Sequence, residues 1–357
     1  MGKHVRGRAK HLRRKDYNGL WKKLTAGAVG SVTMLSPLPL TQAAGNPTAA
    51  DMQMAVKEKA ALHVSGYKFS GENPVSDEEL QMLLAKYRHR EATLSELEEQ
   101  AGEVQQYLRS KGYFVAQAYI PPQGFVDGLV EVRIVPGRYD EVEIANESYI
   151  KDRALRQEVG IKAGELVRKG SLERGVWLAG DLSRAEVKTR LMAGKKPGTT
   201  KLVVTAKPKG ERMWGFVGFD NGGYRYTGRY QYSAFVNYAS PFGNGDLFSM
   251  GGIISNTGKE TWSGSVTYVT PIFHRGNKLG VGYARSQYAL GGVFAAQGFT
   301  GEAETISVWW EHNFKRSRNS NIYGIIRYDG KKLTSKAEAL PYNNPKNADN
   351  IVYTLRG

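Results

Sequence analysis

The chain has 357 residues, 50 Lys+Arg against 34 Asp+Glu for a net charge of +16, 42 glycines and no cysteine. The missing cysteines exclude a disulfide scaffold, a thiol nucleophile and any Cys-ligated zinc or iron–sulfur centre. Hydrophobic content of 41% is too high for general disorder, yet no stretch offers the ~20 unbroken apolar residues of a membrane helix.

The basic excess is concentrated at the front. Residues 1–44 carry Lys3, Arg6, Arg8, Lys10, Arg13, Arg14, Lys15, Lys22 and Lys23 against Asp16 alone. An uncharged run follows over 24–40, broken by Pro37 and Pro39 just before the small residues Ala43 and Ala44. That layout predicts a secretory signal over 1–44, cleaved near Ala43 or Ala44. It is similar to the extended signal peptides of large Gram-negative exported proteins. A basic nucleic-acid-binding tail is the alternative. Residues 45–61 are read as a short linker or helix.

Residues 62–137 read as β-α-α-β-β. A strand is expected over 63–71, and Ser76 before Asp77-Glu78-Glu79 caps a helix to about Tyr87. A second helix is expected over 94–110, with Leu97, Ala101, Val104 and Leu108 on one face. Strands are expected over 113–120 and 128–135. The same order recurs over 138–210, with strands at 140–144, 186–192 and 201–206 and helices at 150–159 and 171–182. Two such units resemble POTRA domains, the polypeptide-transport-associated modules of outer-membrane assembly and secretion machines. The Lys111-Gly112-Tyr113 joint and the 128–136 strand match the first module of that family, and 172–191 matches the second.

From Met213 onward the helical period disappears. Segments of roughly ten residues alternate large apolar side chains with small or polar ones. In 230–238 one face is Tyr230, Tyr232, Ala234, Val236 and Tyr238, and the other is Gln231, Ser233, Phe235 and Asn237. Segment 261–269 repeats the pattern, with Trp262, Val266 and Tyr268 opposite Ser263, Ser265 and Thr267. A soluble sandwich needs large residues inside, whereas the alternate face here is small and polar. The pattern predicts an antiparallel transmembrane β-barrel with its apolar side outward. Residues 214–228, WGFVGFDNGGYRYTG, resemble the first barrel hairpin of TpsB transporters, the outer-membrane half of two-partner secretion in the haemolysin secretion/activation family. Asp220, Asn221, Gly222, Gly223, Thr227 and Gly228 occupy that hairpin motif, and Asn and Gly there suit a tight turn with positive φ.

The expected fold class is therefore two α+β POTRA domains (62–137 and 138–210) followed by part of an antiparallel transmembrane β-barrel (211–357). The transporters compared have sixteen strands and about eight are readable here, so the chain is expected to be C-terminally truncated and not to conduct by itself.

No residues suggest an enzyme. The six histidines are scattered, segment 194–201 lacks the phosphate-loop pattern and reads as a hairpin, and Glu78-Glu79 and Glu98-Glu99 lie on solvated helix faces. No catalytic residue, metal or cofactor is expected. The resemblance implies an outer-membrane transporter whose periplasmic POTRA domains bind a large haemolysin- or haemagglutinin-like exoprotein as an unfolded chain. Outer-membrane lipid surrounds the barrel, and no nucleic acid or small-molecule substrate is expected. Client contacts are expected on strand edges at Tyr113, Val115, Gln117, Tyr119, Leu202 and Val204. A barrel-assembly insertase of the same superfamily, or a soluble basic nucleic-acid binder, are the alternatives.

Overall fold

The structure, a computed structural model, describes residues 61–256, 261–339 and 341–357. The expected signal segment, its cleavage near Ala43 or Ala44, and nearly all of the 45–61 linker lie outside the described residues.

The first module begins with β1 (Leu62–Val64) and β2 (Gly66–Gly71). Helix α1 (Asp77–Leu84) starts where Ser76 Oγ accepts the Glu79 N–H at 3.3 Å, with three acids in its first turn. A short β3 (Arg90–Ala92), not expected from the alternation, pairs antiparallel with β1. Helix α2 (Leu94–Ser110) opens on a reciprocal cap between Thr93 and Glu96. Its buried stripe of Leu97, Gln100, Ala101, Val104 and Leu108 is the predicted face with Gln100 added. Gln100 is tolerated because it accepts the Tyr67 hydroxyl at 2.5 Å, and burial pushes that phenol up to about 12. Strand β5 (Leu129–Val135) lies between β2, parallel, and β4 (Gln117–Tyr119), antiparallel. The strand expected over 113–120 shrinks to those three residues. Tyr113 N–H still serves the end of α2 through the Leu108 carbonyl, and its ring sits in the core.

The second module contains β6 (Arg138–Asn146), α3 (Asp152–Val159), α4 (Lys169–Gly180), β7 (Ala185–Ala193) and β8 (Thr199–Pro208). Strand β8 is central, parallel to β6 and antiparallel to β7. Segment 194–198 is the hairpin turn between β7 and β8, where Gly194 N–H donates to Thr199 O. Helices α3 and α4 cross closely at Gly175, where a Cβ would lie 2.2 Å from the Val159 carbonyl oxygen. Both modules keep the predicted β-α-α-β-β order, with β1–β3 as an addition in the first.

The remaining chain is one antiparallel meander in sequence order: β9 (Met213–Asp220), β10 (Gln231–Ala239), β11 (Leu247–Ser255), β12 (Trp262–Pro271), β13 (Asn277–Ala289), β14 (Phe299–Arg316), β15 (Asn321–Ala337) and β16 (Tyr342–Arg356). The last four strands are longer than the ten-residue segments expected, because pairing continues past the apolar rows into charged sequence such as Glu302, Lys332 and Lys336. Among the described residues no helix is long and apolar enough to cross a membrane.

Candidate functional site

Register decides what each side of the meander presents. The pairs Val236↔Met250, Met250↔Val266, Val266↔Tyr283, Tyr283↔Ile306 and Val281↔Val308 carry one apolar row unbroken across β10–β14. Trp310↔Ile326 and Ile326↔Tyr353 extend that side through β16. Rings bound the band at both rims: Tyr238, Phe248 and Tyr268 at one end, and Phe219, Tyr232 and Trp262 at the other. On this same side Arg285, two residues inside Gln287, the register partner of Trp262, pairs with Glu302 and Glu304 at 3.3 and 3.5 Å.

The opposite side is small and polar. Ser249, Ser265, Thr267, Thr305 and Ser307 alternate with the apolar row. Glycines on this side let two rings lie flat against the sheet. A Cβ on Gly251 would meet Phe235 at 2.2 Å, and one on Gly280 would meet Trp309 at 2.0 Å. Several charges here are paired. Asp329 accepts from Ser307 Oγ at 2.6 Å and Arg327 Nε at 2.7 Å, and Lys278 faces Glu311 at 3.5 Å. The sheet therefore has one side suited to hydrocarbon and one suited to water.

At the Tyr238–Phe248–Tyr268 end, the second module is fastened to the hairpin turns. Lys151 N–H donates to Gly243 O and Ser183 N–H to Gly245 O. Arg174 of α4 donates to the Asn313 and Phe314 carbonyls at 2.6 and 3.1 Å, near the end of β14. Arg316 clamps Asp181 through two bonds of 2.6 and 2.8 Å and lies over the Trp177 ring. In the β12–β13 turn, Phe273, His274, Arg275 and Gly276 all have positive φ. The first three carry side chains in that left-handed region, at about 1 kcal/mol or more each. The module over-determines the turn: Arg275 donates to Gly160 O at 2.9 Å, and the Gly276 N–H donates to Glu158 Oε2 at 3.0 Å.

Glu158 is only 3% exposed, and its Oε1 has no hydrogen-bond partner. Burial raises its pKa above the carboxylate range, with the Gly276 N–H and the Lys278 charge pulling the other way. Burial also lowers the pKa of Arg174, helped by the Arg275 charge. A cleft of about 280 Å³ opens beside Glu158, with Asp181, Lys278, Glu311 and Asn321 on its walls. Sequence reasoning missed this joint. One signal was present: Glu158 falls on the Ala154, Leu155, Val159 stripe of α3, where a solvated acid would not sit.

The expected hairpin motif is not a tight turn. Asp220 ends β9 and β10 begins at Gln231, so 221–230 forms a longer excursion. Asp220 Oδ1 accepts the Gly222 N–H at 2.8 Å, the expected local bond. Asn221, Gly222 and Gly223 do not have positive φ, whereas Gly228 does, at +110°. Gly223 is required by close approach: a Cβ there would lie 2.1 Å from Gly228 O. Thr227 donates its N–H to Tyr224 O inside the excursion.

The expected strand-edge contacts divide. Gln117 and Tyr119 lie on β4, which among the described residues pairs with β5 alone and has no strand on its other edge. Tyr113 is buried beneath Arg168, and Val115 packs against the second module, so neither lies on an edge. Leu202 and Val204 need correction: they sit fully buried in β8, paired on both sides by β6 and β7. The outer strands of that sheet are β6, whose start is bridged by Leu166 and bonded to Gly164 and Glu165, and β7. Along β7, Glu186, Lys188 and Arg190 are exposed and alternate with half-buried Val187, Thr189 and Leu191.

Comparison with known proteins follows the same division of the chain. Residues 62–137 match the ShlB-type POTRA domain, and 198–337 match the haemolysin secretion/activation protein family ShlB/FhaC/HecB. The chain is 25% identical over 348 residues to the heme/hemopexin transporter protein HuxB of Haemophilus influenzae, covering 97% of this chain and 61% of that one. It is 23% identical over 230 residues to the outer membrane transporter CdiB of Dickeya dadantii, covering 62% of this chain and 40% of that one. Among solved structures it is similar to CdiB from Escherichia coli, with a TM-score of 0.68 at 18% identity over 90% of this chain and 58% of that chain. The chain thus spans under two thirds of the length of these relatives.

Proposed function

We propose that the chain serves as the outer-membrane component of a two-partner secretion pair, a reading supported by the match of 62–137 to the ShlB-type POTRA domain and of 198–337 to the haemolysin secretion/activation family. The meander β9–β16 forms part of the wall of a β-barrel pore, its apolar band in lipid and its Ser/Thr/Gly side toward a watery lumen. Both modules stand in the periplasm, and the segment 1–44 is the signal that sends the chain there. The observation that carries this reading is the fastening of the second module to the hairpin turns at one rim of the band. That fastening supports a reading in which the second module receives polypeptide at one mouth of the wall.

The client is a large exoprotein received as an unfolded chain. Its main chain adds to the free edges of β7 and β4, where backbone bonds supply affinity with little demand on sequence. The exposed charges of β7 protect that edge from pairing with a second copy. Passage along the wall needs no catalytic group, because folding outside supplies the drive.

The test uses the full chain in detergent micelles, offered an unfolded N-terminal secretion domain of a two-partner exoprotein. Retention at micromolar concentration, lost when β7 is capped by proline substitution, is the expected result. No retention of the secretion domain would overturn client binding. Salt-dependent retention of DNA in its place would favour the basic nucleic-acid binder.

A further inference from the structure

The outer edge of β5 is closed in an unusual way. Strand β4 pairs with β5 only at Val135, Ile134 and Arg133. The chain then reaches Pro121 and Pro122, which have no N–H to continue the ladder. At the next backbone position along β5 a side chain replaces the strand. Gln123 Nε2 donates to the Glu131 carbonyl at 2.9 Å, and Gln123 Oε1 accepts the Glu131 N–H at 2.8 Å. One primary amide thus makes the donor–acceptor pair that a residue of an added strand would make. One position further, the Leu129 N–H is taken by the Val126 carbonyl at 3.1 Å. The opposite edge of the same sheet is blocked differently, by Gln81 donating to the Tyr67 carbonyl.

Large apolar side chains surround this edge in the open. Val126 is 71% exposed, Leu129 46% and Tyr119 43%. They serve no core, and together they offer an apolar contact surface beside a set of main-chain hydrogen bonds.

We propose that segment 121–127 is a built-in place-holder on β5, and that an extended segment of an unfolded polypeptide displaces it and pairs with Leu129–Glu131 in line with β4. The inference rests on the client-binding reading above and names where and how the first module takes part. An extended backbone fits because the groups satisfied by Gln123 and Val126 are those of a β-ladder, and side chains of the incoming strand would meet Tyr119 and Leu129, which stay in place on β4 and β5. The slot is short, so binding there is weak and exchanges rapidly, as a chain in transit requires. Exchanging one set of hydrogen bonds for another leaves no buried backbone group unpaired at either stage.

The test uses the full chain in detergent micelles and a fluorescent peptide of alternating Val and Thr. Gln123→Ala removes the competitor and is expected to tighten peptide binding about tenfold, equivalent to about 1.4 kcal/mol. Gln123→Asn, whose amide is too short to span the Glu131 pair, gives the same result if the alanine variant fails to fold. In the unsubstituted chain, bound peptide is expected to speed amide hydrogen exchange over 121–127 while the Glu131 N–H stays protected. Peptide binding that leaves 121–127 unchanged, or equal affinity in the variants, overturns the place-holder and leaves client binding standing. No peptide binding to any of the chains, together with no retention of the secretion domain, overturns both.

Discussion

A single carboxylate concentrates the chemistry of the joint. Glu158 holds the Gly276 N–H of a turn whose neighbours are in left-handed conformation. With its pKa raised by burial, the folded chain holds this proton more tightly than the unfolded chain. The stabilisation is complete below the ordinary carboxylate value of 4.5 and is lost as pH rises through the folded value. The joint is therefore expected to loosen from acidic toward neutral pH. Urea titration followed by Trp177 fluorescence, across that range, should show it. Glu158→Gln keeps an acceptor for Gly276 without a buried charge, so it should match or exceed the parent at neutral pH and abolish this pH dependence. Glu158→Ala strands the Gly276 N–H and should cost about 1–3 kcal/mol. An alanine variant as stable as the parent would show that the turn does not depend on this contact.

Within elements, caps and glycines carry separable weights. The Thr93–Glu96 cap sets the start of α2, and Thr93→Ala should cost about 1 kcal/mol in the denaturation midpoint of the first module. In the 220–228 motif, two glycines should behave oppositely. Gly228 has φ +110°, and a Cβ there would lie 2.5 Å from Ser255 Cβ. Gly228→Ala should therefore cost about 1–3 kcal/mol. Gly222 meets only the end of the Asp220 side chain, at 3.2 Å, and Gly222→Ala should stay within about 0.5 kcal/mol. Equal urea midpoints for the two variants would show that the excursion yields locally. Both glycines belong to one readable motif, yet their demands differ because one is pressed against β11 and the other meets only the end of one side chain.

At the scale of the whole molecule, the sidedness of the sheet governs what it tolerates. Val308 lies mid-band between Val281 and Tyr328, and Val308→Arg should cost about 2–4 kcal/mol in vesicles. Ser265, exposed on the polar side, should accept arginine with a change of under about 0.5 kcal/mol. Urea-induced unfolding from phospholipid vesicles compares the two directly. Similar costs would mean that the two sides do not divide lipid from water. Among the described residues the meander is bounded by two strands, β9 and β16, each paired on one side only. Hydrocarbon leaves no unpaired backbone group cheap, so both edges must be covered wherever this sheet lies in a membrane.

What the sequence alone determined was local and periodic. Helix α2 runs over the expected 94–110 because its cap, its apolar stripe and the following Gly112 are short-range signals. The two sides of the meander were legible because alternation survives whatever the register. Order along the chain, β-α-α-β-β twice and then the meander, followed from the same patterns. What the tertiary structure decided was neighbourhood. Whether a strand is central or at an edge depends on partners far away in sequence, so Leu202 and Val204 fell inside a parallel pair formed with β6. The unbroken run Leu202-Val203-Val204 was the trace of that two-sided burial, and the charges of β7 were the trace of an edge. Glu158 against Gly276 and Gln123 against Glu131 left no such periodic trace. Each depends on a single side chain meeting one backbone group, a coincidence that only the packed chain creates.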